Sequence, residues 1–334
     1  YHTYDSIDLV QDDHLYDIAS ITKIAATAPL LMYLYDKKSF GLNKKLKHYS
    51  SVCKNTDKGN LKMIDIFTHQ AKLFPWIPFY KNTLNELGEL RNDLYVKHYS
   101  SNFPVHVAKN IYLDKNFNDT ILNYIIQSDL LKKKEYRYSD LGFYLIQPII
   151  EKKIDTSIPD FLYHNFYHPI DAYRITYHPL EKFPISKIVP TEHDNYFRQQ
   201  MVQGYVHDQG AALLGGVALH AGLFTNATDL MKLMQLYLDG GVYDDKYLFS
   251  AQTLSKFTDA PFAHLGNRRG IVFDKPSIDP DEDGPTCSSI TLESFGHSGW
   301  TGTMAWADPQ KEIVYIFLSN GRAFPDGNNM RLIK

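Results

Sequence analysis

The sequence predicts a mixed α/β (α+β) fold: an antiparallel β-sheet flanked by helices, with a mostly helical inserted domain. Three observations predict it. The C-terminal stretch "SFGHSGWTGTMAWADPQKEIVYIFLSNG" reads as strand, turn at Asp308-Pro309-Gln310, and strand. The opening "YHTYDSIDLV" also reads as strand, so both chain ends are expected in one sheet. Between them, from about Leu61 to Leu214, short amphipathic patterns alternate with loops carrying prolines at 75, 78, 104, 148, 159, 169, 179, 184 and 190. The expected division is therefore residues 1–60 and 215–334 for the sheet domain and 61–214 for the insert, with a cleft between them.

Each element has a local reason. After turn residues Asp12 and Asp13, a helix should begin near Ser20 and kink at Pro29, because proline lacks a backbone donor. In "DTILNYIIQSDLL", Ile121, Tyr124, Ile125 and Leu130 share a helical face. "SDLGFYLIQPIIEKK" is a second helix, and "ATDLMKLMQLYLDGG" a third that stops at Gly240 and Gly241. "RRGIVFD" reads as a further strand. Ile313–Leu318 is a continuous apolar run, which predicts a strand buried on both faces and helices on both sides of the sheet.

Composition narrows the function. With 35 basic and 38 acidic residues the net charge is −3, and no long run of one sign favours nucleic acid or an anionic membrane. The longest mostly apolar stretch, Ile24–Tyr35, holds Thr27 and Pro29 and is too short to span a bilayer. Two cysteines, Cys53 and Cys287, are read as free thiols, since one bridge is no framework for 334 residues. No cofactor motif is read. His164 and His168 lie four apart, but no further ligand stands at a supporting spacing.

The chemistry is carried by "YDIASITKIAATAPLLMYLYDKK". Ser20 and Lys23 are spaced Ser-x-x-Lys ahead of an apolar helical run. A second such pair, Ser51 and Lys54, sits in a polar, turn-rich stretch and reads as a solvated loop. Three apart on a helix, Ser20 and Lys23 share a face, with Ser20 at the N-terminus where the helix dipole favours a developing alkoxide. A nucleophile also needs a proton acceptor and an oxyanion hole. Tyr138-Ser139-Asp140, just ahead of a helix, and His297-Ser298-Gly299, on a strand, are the candidates.

Ser-x-x-Lys, then Tyr-x-Asn, then [Lys/His]-x-Gly, in this order, resembles the signature of the serine β-lactamase and penicillin-recognising superfamily. The flanks "THQAKLFPW", "PTEHDNYFRQQMVQGYVHDQGAALLGGVALHAGLF" and "GHSGWTGTMAWADP" are similar to its class C β-lactamase, D-alanyl-D-alanine carboxypeptidase and esterase branch. The resemblance implies that Ser20 is acylated, that Lys23 activates it, and that Tyr138 takes its proton and returns one to the leaving group. It places His297 beside Tyr138 or a substrate carboxylate, and gives the oxyanion to the backbone N–H groups of Ser20 and Trp300, with Gly299 allowing close approach. Tyr138 has an ordinary pKa of about 10, so Lys23, and His297 if protonated, are expected to lower it.

One departure is Asp140 where the family has asparagine. A carboxylate accepts but does not donate, so Asp140 is expected to pair with Lys23 and to weaken recognition of a β-lactam side-chain amide. Asp140 can also cap the helix that follows it, and His207 and Asp208 are expected to brace their loop. The resemblance implies a serine hydrolase of small esters, amides or D-amino-acid peptides, some peptidoglycan-derived, in a bacterial cell envelope, in the periplasm. It implies no cofactor, no nucleic acid, and an upstream fused domain as one origin of the abrupt start. A true β-lactamase, or a catalytically weak penicillin-fold binding module, are the alternatives.

Overall fold

The computed structural model of the chain describes residues 1–279, 281 and 283–324. Its main sheet has three antiparallel strands in sequence order, β1 (Phe295–Gly299), β2 (Thr303–Asp308) and β3 (Ile313–Phe317). His297 faces Ala305 and Gly299 faces Thr303 across the first pair. β2 is buried throughout. Helix α1 (Ala28–Asp36), helix α2 (Leu141–Ile154) and helix α3 (Ala227–Leu238) supply much of the apolar core, which runs as one cluster from Ile18 to Ala307. Among the described residues no helix is long and apolar enough to cross a membrane.

Three expectations need correction. "YHTYDSIDLV" forms turns, not a strand; the first strand is the two-residue Tyr16–Asp17, paired with Phe224–Thr225 outside the main sheet. "RRGIVFD" gives one bridge, Asp274 to Gly296, because the Ile271 and Val272 N–H groups donate instead to Phe257 O and Phe67 O and Val272 has a left-handed φ of +75°. β3 alternates: Val314 and Ile316 pack toward the core, while Ile313 and Tyr315 are 53% and 48% exposed. Helix α3 covers one face of that strand, and apolar character alone does not report a second cover. Beside its helices, the stretch 61–214 also holds a small sheet from Tyr95–Val96, Val105–Ala108 and Ile111–Leu113 and a hairpin at Glu192–Val202.

The segment carrying Ser20 is not a regular helix. Ala19–Ile21 is a 3-10 turn, Lys23–Thr27 a π turn, and the α-helix begins only at Ala28. Pro29 explains the irregularity without a kink, since it stands in the first turn of α1, where a missing N–H is tolerated. It has no N–H for the carbonyl of Ala25 at α spacing or of Ile24 at π spacing. Two buried tyrosines serve those carbonyls: Tyr167 Oη donates to Ala25 O at 2.9 Å and Tyr237 Oη to Ile24 O at 2.5 Å. Tyr167→Phe should therefore lower stability by about 1–3 kcal/mol, read by urea denaturation, because a buried acceptor loses its donor. A change within error would mean that the tyrosine does not support the π turn.

Candidate functional site

Ser20 follows a strained residue. Ala19 has φ +49°, an uncommon value for a side chain with Cβ. It is held there by its N–H donating to Asp17 Oδ1 at 2.8 Å. β1 closes on this turn from the other side. A Cβ on Gly299 would stand 2.6 Å from Ile18 O and 2.2 Å from Thr303 Oγ1, so only glycine fits. That approach brings the start of the Trp300 turn beside Ser20, and both line the clefts described below.

Lys23 is fully buried: its ammonium donates to Ser20 Oγ at 2.9 Å and His220 O at 3.1 Å and forms an ion pair with Asp140 Oδ1 at 2.7 Å. Burial works against its charge, but Asp140 and then Tyr138 outweigh burial, and its pKa stands above the ordinary value. Lys23 is therefore an ammonium in this state. Asp140 occupies the N-cap position of α2 yet makes no capping bond, because its carboxylate is turned to Lys23. The expected Lys23–Asp140 pair is thus present, and capping is not what Asp140 does.

Tyr138 Oη lies 3.0 Å from Ser20 Oγ. Its loop is pinned by the loop containing "THQAKLFPW": Arg137 N–H donates to His69 O at 2.9 Å, Asp140 N–H donates to Pro75 O at 3.2 Å, and His69 Nδ1 lies 3.1 Å from both the amide nitrogen and the carbonyl oxygen of Ser139. The His69 ring also lies against the Tyr138 ring, centroids 4.4 Å apart. The expected lowering of the Tyr138 pKa is not what the environment gives. Burial, then Asp140, push the phenol above its ordinary value, and Lys23 and Arg269 oppose this without reversing it. Tyr138 is neutral at rest.

His297 also departs from expectation. Its Nε2 is 3.1 Å from Arg269 Nη1, and a guanidinium can only donate, so Nε2 must accept. Its Nδ1, 2.7 Å from Ser298 O, must then carry the single proton. A protonated His297 would set N–H against N–H. Burial, Arg269 and Lys23 accordingly hold its pKa well below the usual value. The permanent cation beside Tyr138 is instead Arg269, with Cζ 5.1 Å from the Tyr138 ring centroid and Nε 3.3 Å from Asp274 Oδ1. Arg269 and Asp274 were missed in the sequence, where the one usable signal was a pair of arginines opening an apolar run.

Ser20 stands where two clefts meet. One, of about 600 Å³, is lined by Pro75, Trp76, Tyr80, Tyr196, His207 and Trp300, with Tyr138, Asp140, Asp208 and His220. The other, of about 420 Å³, holds Tyr136, Arg268, Arg269, Asp274, His297 and Ser298. A wider cleft of about 1100 Å³ near the Ala251–Thr258 helix shares none of the candidate residues. His207 and Asp208 brace their loop as expected: His207 N–H donates to Asp17 Oδ2 at 2.7 Å, and Asp208 Oδ1 accepts from Ala211 N–H at 2.7 Å. His207 also stacks on Trp300 at 5.1 Å, a contact no sequence feature announced. The second Ser-x-x-Lys pair lies in an exposed turn. Both thiols are free, Cys53 buried and Cys287 exposed.

The His297 geometry fixes a pH dependence. Its native pKa lies below the unfolded value of about 6.5, so the unfolded chain takes up the proton first as pH falls. Its contribution to stability is complete above about pH 6.5 and declines below it, by up to about 1.4 kcal/mol per pH unit. His297→Gln keeps an acceptor for Arg269 without the titration. The stability advantage of wild type over the variant should shrink from pH 7.5 to pH 5 in urea denaturation, with no His297 titration by NMR between about pH 5 and 8. An imidazole titrating in that range would refute the assignment.

The β-lactamase family profile matches residues 3–333. A Salmonella gallinarum protein provisionally named a D-alanyl-D-alanine carboxypeptidase is 30% identical over 337 residues, covering 94% of this chain and 71% of its own. The N-acetylmuramyl-L-alanine amidase of Bacillus subtilis is 29% identical over 338 residues, covering 93% and 69%. Among solved structures, the octameric penicillin-binding protein homologue from Pyrococcus abyssi superposes with TM-score 0.66 at 17% identity, covering 100% of this chain and 67% of that one. The likeness in fold and the extent of the sequence match agree with the order of motifs around Ser20, and the chain belongs to the β-lactamase family of serine hydrolases.

Proposed function

We propose that the chain hydrolyses small esters, amides or D-amino-acid peptides through an acyl-enzyme on Ser20. The observation that carries this is the placement of Ser20 Oγ between Lys23 Nζ at 2.9 Å and Tyr138 Oη at 3.0 Å. With Lys23 charged and Tyr138 neutral, Tyr138 serves as a shuttle rather than as a preformed phenolate. As Ser20 Oγ bonds to the carbonyl carbon, its proton passes to Tyr138 Oη, and the Tyr138 proton passes to the leaving atom. The Lys23 ammonium steadies the charge that develops on Oγ. Backbone N–H groups of Ser20 and Trp300 receive the carbonyl oxygen. Water then repeats the sequence in reverse and frees the acid.

The two clefts support a substrate lying across Ser20, between a sheet domain of 1–60 and 215–334 and a helical domain of 61–214. The Arg268–Arg269 side brings guanidinium donors, both paired with Asp274, to the second cleft. The relatives are bacterial, and their names concern wall peptides, which supports action in the cell envelope, in the periplasm where there is one. Asp140 argues against an efficient β-lactamase, because it presents no donor to a side-chain amide.

Intact mass after treatment with a fluorophosphonate, and separately with a penicillin, tests this reading. The fluorophosphonate should add once, on Ser20 by peptide mapping, and Ser20→Ala should abolish both adduct and ester turnover. Tyr138→Phe should lower turnover by roughly two to four orders of magnitude with little change in stability. A label on Ser51, Ser139 or Ser298, or no label at all, would favour a binding module over an enzyme.

A further inference from the structure

We propose that Asp17, His207 and Arg322 are positioning residues for the oxyanion hole: together they brace the Ser20 and Trp300 turns so that the two backbone N–H groups converge on one point. This rests on Ser20 being the acylated residue, and it deepens that reading by naming what holds the site to its working geometry.

The two turns share no backbone-to-backbone hydrogen bond, and no acceptor is found for the N–H of Ser20 or of Trp300 among the described residues. Side chains must therefore set their spacing, and Asp17 stands between them. Its carboxylate is fully buried. Oδ1 accepts the Ala19 N–H at 2.8 Å, and Oδ2 lies 2.7 Å from the His207 amide nitrogen and 3.1 Å from His207 Nδ1. The Asp17 carbonyl accepts from Thr301 Oγ1 at 2.8 Å. One residue thus holds the turn before Ser20, the residue after Trp300 and the loop carrying His207. The Ala19 backbone, at φ +49°, needs such a holder, because a residue with Cβ rarely rests there.

Trp300 is 44% exposed at a chain reversal, and its N–H would move with it if the indole swung. Two side chains grip it. The His207 ring lies within 9° of parallel at 5.1 Å. Arg322 sets Cζ 3.4 Å from the indole centroid, and its Nε donates to the Trp300 carbonyl, so one guanidinium fixes ring and backbone together. His207 and Arg322 stand on a common support. Buried Arg198 donates to Val206 O and His207 O, each at 2.6 Å, and pairs with Asp194 at 2.6 Å and Glu192 at 3.2 Å. The Gly321–Ala323 turn that carries Arg322 lies against the same Glu192–Asp194 strand. The contacts close into a ring: Asp17 to His207, His207 to Trp300, Trp300 to Arg322, and Arg322 through the strand and Arg198 back to His207. Among the described residues, none of the three side chains hydrogen-bonds to Ser20, Lys23 or Tyr138, so they act through the two turns. Oxyanion donors help only when placed before the reaction, and a misplacement of about 1 Å costs on the order of a hundredfold.

Phosphorus NMR of Ser20 labelled with a fluorophosphonate tests the brace without turnover, because the adduct's P=O oxygen sits where the oxyanion forms. The folded wild-type adduct should differ in shift from the same adduct in urea. In Asp17→Asn, His207→Gln and Arg322→Ala the folded shift should move toward the value in urea. For a p-nitrophenyl ester, kcat should fall roughly a hundredfold in Asp17→Asn and roughly tenfold in the other two, with KM within about threefold of wild type. Arg322→Lys keeps a donor for the Trp300 carbonyl and should recover part of the loss. Should Asp17→Asn not fold, the His207 and Arg322 variants carry the same readings. A wild-type phosphorus shift in the folded variants, whether or not kcat falls, would overturn the proposal, as would a loss carried by KM alone. Failure of Ser20 to label would overturn the underlying acyl-enzyme reading instead.

Discussion

The site is organised by a buried ammonium ion. A lysine with no solvent contact is tolerated only where its protons are accepted and its charge is answered. Lys23 meets both conditions with the Ser20 hydroxyl of its own turn and with one carbonyl and one carboxylate contributed by segments far away in sequence. That arrangement ties His220 and Asp140 to the turn bearing Ser20. It also limits what Lys23 can do, because an ammonium has no lone pair with which to take a proton. Proton movement therefore falls to Tyr138, the other polar group on Ser20 Oγ.

A second charge balance surrounds this first one. Arg269 reaches Tyr138, His297 and Asp274 together. The guanidinium makes His297 an acceptor and keeps it neutral, so the strand histidine orients a cation instead of being one. Positive charge near Tyr138 is thus permanent and does not change with pH across the neutral range. Burial and Asp140 still hold the phenol above its ordinary pKa, which is consistent with a shuttle that never rests as an anion.

What could be read from the sequence follows the range of each interaction. The helices at Phe117–Gln127, Leu141–Ile154 and Ala227–Leu238 were legible because periodicity and stop signals are local. The β2–β3 turn at Asp308-Pro309-Gln310 was legible for the same reason, but the β1–β2 turn at residues 300–302, which splits the expected first strand in two, was not. The opening segment was not, because alternation in "YHTYDSIDLV" has no partner strand to stabilise it. "RRGIVFD" failed because the Ile271 and Val272 N–H groups find acceptors in Phe257 and Phe67, far away in sequence, and Val272 takes a left-handed backbone. In the site, Ser20, Lys23, Tyr138 and Asp140 were legible from motif order and do come together. The charge state of His297 was not, since it depends on Arg269, a contact across 28 positions that no spacing rule announces.

The loop 69–76 joins reactivity to selectivity. His69 and Pro75 hold the backbone on both sides of Tyr138, and Trp76, next in sequence, stands at the opening of the aromatic cleft. His69 has a left-handed backbone, φ +57°, and its ring, kept neutral by burial and Arg269, sets Nδ1 against the Ser139 backbone. A movement of Trp76 large enough to admit a bulkier group would pull on the Pro75 carbonyl and so on Asp140. Asp140 is the partner of Lys23, and Lys23 is the partner of Ser20. Widening the cleft on this side is therefore mechanically linked to the position of the nucleophile, whereas the Trp300 side is coupled through Asp17, which holds both His207 and the Ala19 N–H.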